Sequence, residues 1–313
     1  MPKAQVNGIE LAYETFGAGE PVILIMGIGG QMVFWDEAFC LALASRGFAV
    51  TRFDNRDVGH STRLEHLGVQ ALNDVIKQRL LGGNVRAGYS LYDMADDTAG
   101  LIQALGHTSA HVVGMSLGGM VAQCLAIKHP ERVRSLTLIM TTPGELWANV
   151  PTYRAFSALT GKPGRTREAV IARQVDVFKK IGGSRHGSPA SLVEKMAGLQ
   201  FDRGTYPKGF MRQFAAILSA SGRLSRLRRV RIPTLVVHGS EDPLVRPIGG
   251  RLLAAAIPGA TLCMVEGMGH DLGPSIWPFL IDRFAENARR KAADLPHAPS
   301  LKPMLASTIS VPG

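Results

Sequence analysis

The sequence predicts an α/β chain, with a mostly parallel central sheet, helices on both faces and an inserted block of helices. Short apolar runs alternate with stretches of helical periodicity over the first half of the chain. The alternation stops over residues 145–229 and resumes from residue 230. Composition agrees with this reading. Over 313 residues, 46% hydrophobic against 19% charged side chains is enough apolar area for one large core. The 35 glycines and 18 prolines are too few for a fibrous or low-complexity chain.

The strand candidates in the first half are Ile9 to Thr15, Pro21 to Met26, Ala49 to Phe53, Ala110 to Met115 and Ser135 to Met140. Several are apolar almost without a break, as strands covered on both faces must be. Between them Asp36 to Ser45, Leu91 to Leu105 and Leu117 to His129 carry helical spacing. In the last third, a strand at Thr234 to His238, a helix at Pro247 to Ala256, a strand at Thr261 to Val265 and a helix at Ile276 to Lys291 continue the pattern.

Within the intervening block, apolar residues recur at helical spacing, as in Ile171, Val175 and Phe178 or Phe210, Phe214 and Ile217. Because the block falls between two strands, it should sit over one end of the sheet, where open α/β sheets bind ligands. The expected organisation is a core of residues 1–144 and 230–291, a helical cap of residues 145–229 and a tail of residues 292–313. The tail holds Pro296, Pro299, Pro303 and Pro312 without periodicity and reads as a loosely held extension.

Charge narrows the partners only a little. Lys and Arg number 35 against 25 Asp and Glu, a formal net charge of +10. The densest basic stretch is Arg223, Arg226, Arg228, Arg229 and Arg231, which reads as a solvated helix face. No aromatic residues are interleaved with it and no zinc-finger spacing accompanies it, so no nucleic acid partner is expected. No apolar stretch approaches the ~20 residues of a membrane span, and Met1 to Tyr13 lacks the apolar run of a signal peptide. Cys40, Cys124 and Cys263 are odd in number, far apart and set among apolar neighbours, which suggests buried thiols in a reducing cytoplasm. The oligomeric state is not legible.

The sharpest local signal is His111-Val112-Val113-Gly114-Met115-Ser116-Leu117-Gly118-Gly119, an apolar strand running through Gly-x-Ser-x-Gly into a helix. That is the nucleophile elbow pattern. Such a serine sits on a strained strand-to-helix turn, and side chains two residues to either side would strike neighbouring elements. Gly114 and Gly118 remove those side chains. The turn also leaves the Leu117 N–H at a helix N-terminus, aimed where an oxyanion forms.

A serine hydroxyl attacks poorly unless a base takes its proton and an acid fixes the tautomer of that base. With this elbow, acid and histidine follow in that chain order, each on a loop after a later strand. Gly239-Ser240-Glu241-Asp242-Pro243 and Glu266-Gly267-Met268-Gly269-His270 occupy those loops. Asp242 is the expected orienting acid, since Asp-Pro suits the tight turn better than Glu241, and His270 is the expected base.

His238 precedes the acid, in the wrong order for the base, and reads as a packed residue. His107 and His111 straddle a loop and a strand, so no metal pair is expected there. His60, His66, His129, His186 and His297 read as loop, surface or tail residues. A second oxyanion donor should come from Met26-Gly27-Ile28-Gly29-Gly30 after an early strand. That stretch is no dinucleotide fingerprint, since position 32 is Met where a third glycine is needed, and no phosphate loop occurs, so no cofactor is expected.

In these contexts Ser116, Asp242 and His270 resemble the α/β-hydrolase superfamily over most of residues 5–290. The turn Asp54-Asn55-Arg56-Asp57-Val58-Gly59-His60-Ser61 is similar to the one after an early strand in many members. Together with Leu24-Ile25-Met26-Gly27 and Gly267-Met268-Gly269-His270, it resembles the aclacinomycin methylesterase-like carboxylesterases. The resemblance implies the α/β-hydrolase fold and makes the Ile28 N–H the second oxyanion donor. Met26 departs from the histidine that many members carry before the glycine.

Serine at the elbow argues against the dehalogenase and epoxide hydrolase branches, which use aspartate there. The activity implied is that of a serine carboxylesterase, hydrolysing small to medium neutral carboxylic esters through an acyl-enzyme, with lactonase, thioesterase, carbon–carbon hydrolase and cofactor-free perhydrolase chemistry as alternatives. A ligand receptor of the same fold is a further alternative.

Overall fold

The computed structural model describes residues 1–145, 147, 150–161, 164–291, 293 and 308–309. Its strands are β1 (Lys3–Val6), β2 (Ile9–Phe16), β3 (Glu20–Ile25), β4 (Phe48–Phe53), β5 (Ala110–Met115), β6 (Val133–Ile139), β7 (Thr234–Gly239), β8 (Thr261–Val265) and β9 (Thr308–Ile309). They pair in the order β1-β2-β4-β3-β5-β6-β7-β8-β9. The β1–β2 and β2–β4 pairs are antiparallel and the rest are parallel.

The hairpin joining β1 to β2 turns on Asn7-Gly8, both at positive φ, the conformation of a two-residue turn that matches strand twist. β1 lies outside the strands expected above, because its four residues, Lys3-Ala4-Gln5-Val6, make too short an alternation to stand out.

Parallel strands need crossovers, and these carry the helices α1 (Glu37–Ala44), α2 (Leu72–Leu80), α3 (Leu91–Ala104), α4 (Leu117–Lys128), α5 (Tyr153–Thr160), α6 (Arg167–Ile181), α7 (Ala190–Asp202), α8 (Pro207–Ser219), α9 (Leu224–Leu227), α10 (Ile248–Ala256) and α11 (Trp277–Ala288). Ser90 and Asp93 form a reciprocal capping box at the start of α3, satisfying two backbone donors that a helix start otherwise leaves free.

The side-chain alternation of the central strands splits the core in two. Ile23, Ile25 and Val112 pack with Leu101, Val121 and Leu125 of α3 and α4. Val22, Leu24 and Val113 face the other way, onto Phe39 and Leu43 of α1 and Phe284 of α11. Burying each such side chain contributes about 1.5–3 kcal/mol relative to leaving it exposed.

Helices α5 to α9 all fall between β6 and β7, in the block where strand signals were missing. The basic stretch at the end of that block departs from the sequence reading. Arg226, Arg228, Arg229 and Arg231 are exposed, but Arg223 is only 1% exposed. Its Nε donates to Gln123 Oε1 at 3.1 Å and its Nη2 to the Thr142 carbonyl at 3.2 Å. One arginine of the run turns inward to satisfy polar groups between α4 and the end of β6. Within the expected tail, residues 308–309 extend the sheet as β9 beside β8, whereas Pro296, Pro299, Pro303 and Pro312 lie outside the described residues.

Candidate active site

Ser116 separates β5 from α4 with φ 55° and ψ −118°, a backbone state that L-residues adopt only under constraint. The constraint is visible. Its N–H donates to the Ile139 carbonyl at 3.0 Å, and its own carbonyl accepts from Thr141 Oγ1 at 2.7 Å. A Cβ on Gly114 would collide with the Gly118 carbonyl, and one on Gly118 with the Ile25 carbonyl. Both glycines are therefore required by close backbone approach.

The three residues expected to work together are adjacent. His270 Nε2 lies 3.0 Å from Ser116 Oγ, and His270 Nδ1 lies 2.7 Å from Asp242 Oδ2. The tautomer that satisfies both contacts carries its proton on Nδ1, donates it to Asp242 and leaves Nε2 to accept from the serine hydroxyl. The main chain at this residue is anchored as well, since the His270 backbone N–H donates to the Ile181 carbonyl at 2.6 Å.

Asp242 is buried, and its Oδ1 accepts from the Leu244 and Val245 N–H groups at 2.9 and 2.8 Å. Burial pushes this carboxyl up, but the pull of His270 and His238 outweighs it and holds Asp242 well below the usual carboxylate range. His238 packs behind the acid, with Nε2 donating to the Val245 carbonyl at 2.8 Å. Glu241, the competing acid in the sequence, points elsewhere and accepts from Ser184 N and Oγ.

The loop after β3 passes close to the serine, since a Cβ on Gly27 would stand 3.4 Å from Ser116 Cβ. Among the described residues, the N–H groups of Ile28 and Leu117 donate to no internal acceptor. The three cysteines are buried, and burial pushes the Cys40 thiol up to about 12, far from a reactive thiolate.

Ser116 and His270 line a cavity of about 760 Å³. Its wall combines core residues such as Met26, Trp35 and Met140 with Phe178, Leu192, Met196 and Phe210 of the inserted helices. Those helices are fastened to the core around the site. Ser188 N and Oγ donate to Asp271, next to His270, at 2.5 and 2.9 Å. Arg203 pairs with the fully buried Asp54. Gln200 Oε1 accepts from the Gln31 N–H at 3.3 Å, and Gln213 Oε1 from the Gly29 N–H at 2.8 Å. None of these fasteners was singled out in the sequence, because each joins residues 80 or more positions apart and no local pattern records the pairing.

A family model described as alpha/beta hydrolase fold matches residues 20–273. The chain belongs to the α/β-hydrolase family. The hydrolase is similar to a rhodomycin D methylesterase of Streptomyces peucetius, at 27% identity over 296 residues, covering 87% of this chain and 93% of that protein. It is also similar to a pimeloyl acyl-carrier-protein methyl ester esterase of Chromobacterium violaceum, at 32% identity over 187 residues, 56% of this chain and 68% of that one. The enol-lactonase from Burkholderia xenovorans LB400 shares the fold of the hydrolase, with TM-score 0.65 at 23% identity over 92% of this chain and 100% of that one. Among the described residues no cluster of histidine, cysteine and carboxylate side chains is arranged to hold a metal ion, and no helix is long and apolar enough to cross a membrane.

Proposed function

We propose that this α/β-hydrolase is a serine carboxylesterase that cleaves small to medium neutral esters through an acyl-enzyme. The observation that carries the reading is the continuous contact from Asp242 through His270 to Ser116, at 2.7 and 3.0 Å, on the wall of a largely apolar cavity. The esterases among its relatives support the same reading.

Ser116 Oγ attacks the acyl carbon while its proton passes to His270 Nε2. The carbonyl oxygen becomes an oxyanion held by the N–H groups of Leu117 and Ile28. Asp242 stabilises the imidazolium without taking its proton. As the tetrahedral intermediate collapses, the alcohol leaves with the proton from Nε2. Water, deprotonated by the same nitrogen, then attacks the acyl-enzyme and releases the acid and the free serine.

The inserted helices act as the cap over this site and shape the part of the cavity that receives the substrate. The test is hydrolysis of p-nitrophenyl acetate and butyrate, with and without a serine-directed phosphonate. Turnover abolished by stoichiometric labelling of Ser116 is expected. A purified, folded protein without turnover on any ester, lactone or thioester of a broad panel would make the site a receptor.

A further inference from the structure

Gln213 of α8 is fully buried, and both ends of its carboxamide are committed. Oε1 accepts from the Gly29 N–H at 2.8 Å, and Nε2 donates to the Arg56 carbonyl at 3.0 Å. Gly29 belongs to a closed turn, Gly27 to Gly30, in which the Gly30 N–H donates to the Gly27 carbonyl at 3.3 Å. Ile28 and Gly29 are its two central residues. In a four-residue turn a flip of the central peptide interconverts types with negative and positive φ at the third residue. Gly29 has φ +63°, so one flip state is selected, and the Gln213 carboxamide holds the N–H of that very peptide.

The same face of α8 presses on the turn, since a Cβ at Gly29 would stand 2.9 Å from Phe210 Cδ2. On the side of β3, Asn55 Nδ2 donates to the Met26 carbonyl at 3.1 Å. The Ile28 N–H thus lies between two anchored peptides, and only two soft dihedrals separate it from the one that Gln213 grips.

We propose that Gln213 is a positioning residue for the oxyanion hole: a carboxamide borne by the inserted helices selects the orientation of the Ile28–Gly29 peptide and so keeps the Ile28 N–H aligned with that of Leu117. This rests on the reading of Ser116 as the nucleophile. It makes catalysis depend on how α8 is seated, although Gln213 touches no substrate. A side chain that only stabilised the fold would change the amount of folded enzyme and leave oxyanion binding alone.

The experiment compares wild type with Gln213→Met, similar in volume but without the amide, using p-nitrophenyl butyrate turnover and inhibition by a trifluoromethyl ketone. The ketone adds Ser116 and places its own oxyanion in the hole. The Met variant is expected to lose ~10–100-fold in kcat with KM changed less than ~threefold, short of the 10²–10³ lost with a whole donor, and the ketone is expected to bind weaker by a similar factor.

A kcat within about twofold of wild type, or a fall in kcat with unchanged ketone affinity, overturns the proposal. If the Met variant does not fold, Gln213→Asn replaces it. That side chain is one methylene too short to reach both partners, so the same paired losses are expected and unchanged values are again fatal. Ser116→Ala, assayed alongside, separates the two readings. Retained activity there removes the nucleophile and this proposal together, whereas an inactive Ser116→Ala beside near-normal Gln213 variants removes this proposal alone.

Discussion

Arg212 of α8 and Asp57 of the turn after β4 form a bidentate ion pair, Nε to Oδ2 and Nη2 to Oδ1 at 2.7 Å each, with both side chains out of solvent. Two charges taken from water in this way roughly offset their desolvation only while both are present. Arg212→Met leaves Asp57 buried and unpaired. Urea unfolding is expected to show a loss of about 3–5 kcal/mol. A loss below 1 kcal/mol would mean that water reaches Asp57 freely.

Ser116→Ala is expected to lower kcat at least ~10³-fold, as removal of a triad nucleophile does elsewhere. The backbone makes a second, independent prediction. Holding a non-glycine residue at φ 55° and ψ −118° costs of order 1–3 kcal/mol, and glycine is relieved of most of it. After allowing for the greater freedom of unfolded glycine, Ser116→Gly should be about 1 kcal/mol more stable than Ser116→Ala while equally inactive. Calorimetry of the two variants decides the point.

Asp242→Asn is nearly isosteric, yet it is expected to reduce kcat about 10⁴-fold at neutral pH with little change in KM. The amide can donate to His270 Nδ1 and so favours the tautomer whose Nε2 carries the proton and cannot accept from Ser116. Equal loss in Glu241→Gln would reassign the acid, but Glu241 is engaged by Ser184 and its removal should leave kcat within a factor of about two.

His111 on β5 is buried between Ser135 Oγ at 2.8 Å and Glu20 Oε2 at 3.0 Å. Burial pulls its pKa below the ordinary histidine value, against the opposing pull of Glu20. The unfolded chain therefore takes up this proton before the folded one does. The stability from this site is complete above about pH 6.5 and is lost as pH falls from there towards the depressed folded value. Unfolding free energy measured from pH 7.5 to 5 should decline, and His111→Gln should flatten that decline. An unchanged slope in the variant would clear His111 of the effect.

Gly118→Ala puts a methyl group against the Ile25 carbonyl, on backbone at the centre of the sheet with no room to give. It is expected to destabilise by about 3 kcal/mol or to prevent accumulation of folded protein, the upper range for overpacking. Normal expression and melting would show that the elbow relaxes more easily than its geometry implies.

What could be read from the sequence is what neighbouring residues encode. The elbow Gly114-x-Ser116-x-Gly118, the Asp242-Pro243 turn and Gly269-His270 each carry their constraint within a few positions, and the structure brings Ser116, Asp242 and His270 into contact. The central strands were legible because burial on both faces forces continuous apolar runs.

What escaped is tertiary. α2, with only Val75 fully buried, has too weak a pattern to separate from a loop. Arg223 looked solvated because a run of arginines does not record which member meets Gln123, 100 positions away. Gln213 had no signal at all, since an isolated glutamine on a helix announces neither Gly29 nor Arg56.

The grip of α8 on the turn at Gly29 bears on how such enzymes can be recombined. Grafting the helices between β6 and β7 from a relative onto this sheet exchanges more than the side chains that line the cavity, because the graft also replaces the carboxamide that accepts from the Gly29 N–H. If Gln213 sets the turn as proposed, chimeras that keep a glutamine in register with position 213 are expected to retain turnover, and those that lack one are expected to lose it although Ser116, His270 and Asp242 stay in place.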